Sequence, residues 1–106
     1  MVKNRMRPVH PGEILMEEFM RGSDRPINAN ALAKALAVPA NRITAITKGQ
    51  RGITGDTAVR LAAFFKTTAE FWMNLQKTYE LRLAERALPE RIRKNIQERR
   101  SLLVSA

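Results

Sequence analysis

The stretch Asn28–Arg51, NANALAKALAVPANRITAITKGQR, decides the fold. It reads as two short helices joined by about three residues, a tight helix–turn–helix bend. Asn28 is a favoured N-cap type, and Leu32, Ala33 and Leu36 follow it at the spacing of one buried helix face. Pro39 opens the second helix, in which Ile43 and Ile46 turn inward. Lys48-Gly49 closes it, because Gly tolerates the left-handed conformation just past a helix end. Two helices joined so tightly cross steeply only where the inner residues are small, and Ala33 marks the closest approach. The second helix then stands with its N-terminal end and outer face free, and an α-helix fits the DNA major groove.

Outward from this stretch the chain reads as all-α. Pro11 suits the first turn of a helix, with Glu13, Glu17 and Glu18 near its positive end and Leu15 and Phe19 inward. Gly22-Ser23-Asp24-Arg25-Pro26 ends that helix. Thr54 or Asp56 caps a fourth helix with Ala58, Leu61, Ala62 and Phe65 inward. Thr67 or Thr68 caps a long fifth helix that runs to about Leu88, where Pro89 stops it. Alternating apolar and polar runs are missing, and Ala, Leu, Arg and Glu dominate, so no strand is expected. The reading gives three parts: a flexible basic arm at 1–10, a helix-turn-helix domain at 11–88, and a basic tail at 89–106, either frayed helix or disorder.

Composition narrows the function. The 106 residues make one domain, and 19 Lys and Arg against 10 Asp and Glu leave a net charge of +9. So large an excess points to an anionic partner, nucleic acid ahead of an anionic membrane. The absence of cysteine removes disulfides, thiol catalysis and thiolate metal sites, and with a single histidine a zinc site would have to rest on carboxylates. No apolar run approaches the roughly 18 residues of a membrane span, and the basic start has no apolar stretch of a signal peptide, so a cytoplasmic protein is expected. His10, in Pro-His-Pro-Gly, reads as a turn or cap residue rather than a catalytic base. Lys48-Gly49-Gln50-Arg51-Gly52 lacks the spacing of a phosphate loop. No catalytic, cofactor or metal site is expected, and a small nuclease is disfavoured by the lack of a carboxylate cluster.

Asn41, Arg42, Thr44, Ala45 and Lys48 fall on the outer face of the second short helix. Asn pairs with adenine, Arg with guanine, and Ala or Thr methyls meet the thymine methyl. Pro39 and Ala40 bring the helix start close to the groove. Asn28, Lys34 and Arg51 flank it and suit phosphates, which position a protein without specifying sequence. On the fifth helix, Trp72, Leu75, Tyr79 and Leu83 share one stripe, expected to pack on the first and fourth helices. Met73, Lys77, Leu81, Ala84 and Leu88 form a second stripe, with Leu81 about 180° from Trp72. A second apolar stripe on a terminal helix marks an interface, and a homodimer is expected through it.

Ala33, Ala37, Val38, Ile43 and Ile46 match the spacing of the lambda-repressor-like helix-turn-helix. Together with HPGEIL (His10–Leu15), KGQRGITGDTAVRLAAFF (Lys48–Phe65) and AEFWMNLQKTYEL (Ala69–Leu81), they make the chain resemble the HigA/VapI-type addiction-module antitoxins over about residues 8–88. The resemblance implies a five-helix lambda-repressor-like fold, a homodimer, double-stranded operator DNA as a partner, and a cognate RelE/HigB-like ribonuclease toxin as another. A stand-alone or phage-type repressor without a toxin is the alternative. The chain departs from the family pattern at three places: Ala37 stands at a tight-turn position usually held by Gly, Ala29 replaces a common polar residue, and Pro39 replaces a hydroxyl cap.

Overall fold

The computed structural model describes residues 7–104, and all the regular structure among them is helical. Helix α1 (Pro11–Ile14) runs without a break into a π-helical segment (Leu15–Met20). Then follow α2 (Ala29–Leu36), α3 (Ala40–Thr47), α4 (Gly55–Phe65), α5 (Ala69–Ala87) and α6 (Glu90–Val104). The five expected helices are present and the tail adds a sixth. Residues 1–6 of the expected arm lie outside the described residues. The rest of that arm differs from expectation: Pro8 and Val9 are half-buried and His10 is buried, because His10 belongs to the N-terminal cap of α1.

Helices α1, α2, α4 and α5 start where a side chain can satisfy a free amide. Asn28 accepts from the Ala31 amide at 2.8 Å, Thr54 caps α4, and Thr68 accepts from the Phe71 amide at 3.0 Å. The ends of α2, α3 and α4 share one device. After α2 the Val38 amide reaches the Ala33 carbonyl at 3.0 Å, after α3 the Gln50 amide reaches Ala45 at 2.8 Å, and after α4 the Thr67 amide reaches Ala62 at 3.1 Å. Each closure requires a left-handed residue. Gly49 supplies it at φ 74°, whereas Ala37 (φ 58°) and Lys66 (φ 60°) adopt it against their Cβ atoms. Leu88 is extended before Pro89, as the proline ring demands, and there α5 stops.

The core gathers Leu15, Met20, Leu32, Ala33, Leu36, Ile43, Ile46, Ile53, Ala58, Leu61 and Trp72. Leu15 and Met20 are both fully buried although five residues apart. On an α-helix they would diverge by about 140°, so the wider π winding is what turns both inward. Phe19 is half-buried against Phe65 and Trp72, at ring separations of 5.1 and 4.8 Å. The expected core stripe on α5 is shorter than its sequence pattern. Trp72 is buried and Leu75 and Tyr79 are half-buried, but Leu83 is 44% exposed. Leu83 lies two turns beyond Gln76, the last buried residue of α5, and is less covered although it lies on the same side as Trp72. No residue from 81 to 104 is buried.

Candidate nucleic-acid interface

The site is built on the turn between α2 and α3. Pro39, extended at ψ 146°, occupies the N-cap position of α3 without any side-chain cap bond, as its ring requires. The first amides of α3 are thereby left for an outside acceptor. The turn is fixed from behind by Arg60 on α4, whose Nη1 donates to the Leu36 carbonyl at 2.8 Å and the Ala37 carbonyl at 3.4 Å. Arg60 in turn pairs with Asp56 at 3.0 Å. Sequence reading missed Arg60. Its only signal was a position next to Leu61 on a capped helix.

Ile43 and Ile46 are fully buried and set the roll of α3. Directly opposite them, Asn41 and Lys48 are exposed, with Thr44 and Ala45 half-buried at the margins. Thr44 donates its hydroxyl to the Ala40 carbonyl at 3.2 Å. Pro39 and Ala40 are exposed at the helix start. Arg42 departs from the expected outer face. It sits 100° from Ile43, on the flank toward α4, where Nη1 meets Asp56 at 3.4 Å and Nε is buried without a hydrogen-bond partner. Asp56 therefore holds Arg42 and Arg60 together. Asn28, Lys34 and Arg51 are all exposed around this surface, Asn28 already engaged as the α2 cap.

A buried clasp fixes α3 to the rest of the body. His10 Nδ1 accepts from the Gly12 amide at 2.9 Å, and its ring packs on Tyr79 of α5 at 4.8 Å. It also hydrogen-bonds the Arg51 backbone just past α3. Burial pushes the His10 pKa below its ordinary value, while Glu13 and the Arg51 bond pull it up. The accepting Nδ1 requires the neutral ring. Gly12 lets α1 lie directly on α3: a Cβ there would collide with the Ile46 carbonyl oxygen and stand 2.7 Å from the Ile46 carbonyl carbon. Arg7 brackets the turn with a two-pronged pair to Glu13, at 2.7 and 2.9 Å, and this bond holds the Glu13 carboxyl below its usual range.

Gln76, also missed from sequence, is buried on α5 and accepts from the Ile53 amide at 2.8 Å while donating to Glu80 at 2.8 Å. It ties the loop after α3 to α5. A polar residue four positions after Trp72, on the same face, was the available signal. The second stripe of α5 is open to solvent: Met73, Lys77, Leu81, Ala84 and Leu88 are all exposed. Among the described residues no cluster of three or more His, Asp or Glu could hold a metal, and no helix is long and apolar enough to cross a membrane.

No family model matches the chain. It is 49% identical over 83 residues to virulence-associated protein I of Dichelobacter nodosus, covering 78% of this chain and 75% of that protein. An addiction module antidote protein of the HigA family from Coxiella burnetii superposes with a TM-score of 0.76 at 54% identity, over 84% of this chain and 95% of that one. The antitoxin HigA of Pseudomonas aeruginosa, solved with the higBA promoter, superposes with a TM-score of 0.75 at 49% identity, over 81% and 91% of the two chains. Identity holds over three quarters of the first relative, identity and fold agree over more than nine tenths of the two solved chains, and the chain belongs to the HigA family of helix-turn-helix antitoxins.

Proposed function

We propose that this protein is a cytoplasmic DNA-binding antitoxin that represses its own toxin–antitoxin operon and neutralises a RelE/HigB-like ribonuclease toxin, with no catalytic activity of its own. The observation that carries the DNA-binding half is the α3 surface: a recognition helix anchored by Ile43 and Ile46, with an open outer row and an uncapped N-terminus. A family relative of the same fold has been solved on its promoter. The toxin half rests on family membership. Residues 11–88 form the unit that binds operator and dimerises.

Asn41 reads an adenine edge, Lys48 a base or phosphate at the far end, and the Thr44 and Ala45 methyls meet thymine methyls. With its hydroxyl turned to Ala40, Thr44 offers its methyl as the recognition group. Ala40 and Pro39 allow close approach, and the free amides of α3 donate to a phosphate. Lys34, Arg51 and Asn28 take backbone phosphates. Arg42 reaches the groove only by leaving Asp56. Two copies joined through the Met73, Lys77, Leu81, Ala84 and Leu88 stripe place their α3 helices about one DNA turn apart on a palindrome.

The test is operator binding measured beside random DNA. Asn41→Ala should cost about 1–3 kcal/mol on the operator and almost nothing on random sequence. If each protomer neutralises about three phosphates, the log–log salt slope of the dimer should lie near −5. Equal losses on both DNAs, or a slope near zero, would overturn the assignment. The toxin half is tested by co-purification with the product of the adjacent gene. A neighbour that is not a small basic protein would favour a stand-alone repressor.

A further inference from the structure

The first turn of α3 carries an arginine that is already held by an anion of the protein itself. Arg42 is the third residue of α3, in the part of a recognition helix that contacts base edges. Its Nη1 donates to Asp56 Oδ2 at 3.4 Å, longer than an ordinary bond of this kind. Arg60 Nε donates to the same oxygen at 3.0 Å, so Arg42 has the weaker share of it. The two arginines differ in what else they hold. Arg60 is committed to the Leu36 and Ala37 carbonyls that shape the turn. Arg42 carries several N–H donors, and its Nε is buried with no acceptor. A guanidinium so poorly satisfied gains from any pair of acceptors that reaches it.

DNA offers two kinds of acceptor to such an arginine: phosphate oxygens and the O6/N7 edge of guanine. Asp56 distinguishes them by charge. Its side chain is 59% exposed beside that of Arg42, which is 24% exposed. A phosphate that took Arg42 at the flank would bring its own negative charge up to the Asp56 carboxylate. A guanine edge is uncharged and meets no such repulsion. The magnitudes permit the exchange. A solvent-screened pair such as Arg42–Asp56 holds by a factor of about five or less, whereas a bidentate arginine–guanine pair discriminates by roughly five- to hundredfold.

We propose that Asp56 sets sequence specificity: it keeps Arg42 off DNA phosphates and yields it only to a guanine edge in the operator. Asp56 is a positioning residue that acts through Arg42 and touches no base itself. This rests on α3 as the recognition helix and adds to it a repulsive element against random DNA, a device by which interfaces gain specificity.

The test measures the affinity of the full-length chain for operator and for random DNA over a salt series, with circular dichroism reporting the fold of each variant. Asp56→Asn keeps an acceptor for Arg60. It should bind random DNA about three- to tenfold more tightly, with a steeper salt dependence, and change operator affinity less than about twofold. In an Arg42→Ala background the same substitution should leave the ratio of the two affinities unchanged. Arg42→Lys keeps the charge but loses the planar fork, and should weaken operator binding about tenfold with little change on random DNA. It leaves α4 untouched, so it decides the matter even where Asp56→Asn lowers stability. Replacing operator guanines singly by 7-deazaguanine, which lacks the N7 acceptor, should expose a position that matters to the wild type and not to Arg42→Ala. Equal tightening of Asp56→Asn on both DNAs would overturn the inference and leave Asp56 a general repulsive charge. Wild-type operator affinity in Arg42→Lys would overturn it as well. If either occurs while Asn41→Ala still loses on operator alone, α3 remains the recognition helix and only the Asp56 mechanism falls. Equal losses for Asn41→Ala on both DNAs overturn both.

Discussion

Replacing Ala37 by glycine should make this protein more stable. Ala37 sits at φ 58° and ψ 45°, where an L side chain brings its Cβ against the following carbonyl oxygen, a strain of roughly 1–2 kcal/mol. Glycine removes that strain and returns about 0.4–1 kcal/mol through the extra freedom of the unfolded chain. The net gain is about 1 kcal/mol, or about 4 °C in Tm for a domain of this size. Nothing else changes in the folded state. The Ala37 side chain is exposed, its amide still reaches Lys34 at 3.2 Å, and its carbonyl still meets Arg60. Urea and thermal unfolding followed by circular dichroism measure the effect, and operator affinity should stay unchanged because the turn keeps its shape. Lys66→Gly, at the same kind of helix end after α4, should add a similar gain independently. A loss of stability in Ala37→Gly would refute the strain argument. A gain accompanied by weaker operator binding would mean that the rigidity of alanine, not merely the turn geometry, is needed to present α3.

Gly12→Ala should have the opposite effect and cost about 3 kcal/mol, because the colliding atoms are backbone and α1 must lift from α3; unfolding titrations report it. The pH response follows from His10. Its folded pKa lies below the unfolded value near 6.5, so the unfolded chain binds the proton more readily. Stability is complete above that pH and falls as the pH drops through 6.5 toward the lower folded pKa. His10→Asn keeps a cap acceptor and should flatten this part of the profile, as read from urea midpoints between pH 7.5 and 5. Glu13, whose pKa is lowered chiefly by the Arg7 bond, adds a second loss at more acid pH, and Arg7→Ala should remove it. Leu81→Glu should give a folded monomer by light scattering, with operator affinity reduced toward that for random DNA, since one α3 then binds in place of two.

Much of the architecture was legible in one dimension because its determinants are local. Caps depend on a residue and the amides two or three positions on, which is why Asn28 could be placed, and the caps of α4 and α5 narrowed to two candidates each, before any contact was known. The left-handed Ala37 was legible through its position in the turn pattern. The roll of α3 was legible from Ile43 and Ile46, which point inward whatever they touch. Family membership followed from the same stretches, since they carry the spacing that packs the helices.

Several decisions rest on where separate segments meet, and periodicity carries no information about that. Leu83 shares a stripe with Trp72 in the sequence, yet it is solvent-exposed, two turns beyond the last buried residue of α5. Arg42 lies within the recognition helix, but Asp56 on α4 draws it to the flank. Arg60 clasps the turn from 24 and 23 residues away, and Gln76 satisfies the Ile53 amide from 23 away. His10 was legible as a cap but not as the bond that joins α1, α5 and the end of α3. The sequence by itself determined the five helices of the body, most of their ends and the buried side of α3, because each follows from neighbours within one or two turns. Only the tertiary structure decided which polar side chains lock those helices together and which apolar ones remain uncovered, because both depend on surfaces that distant segments bring into contact.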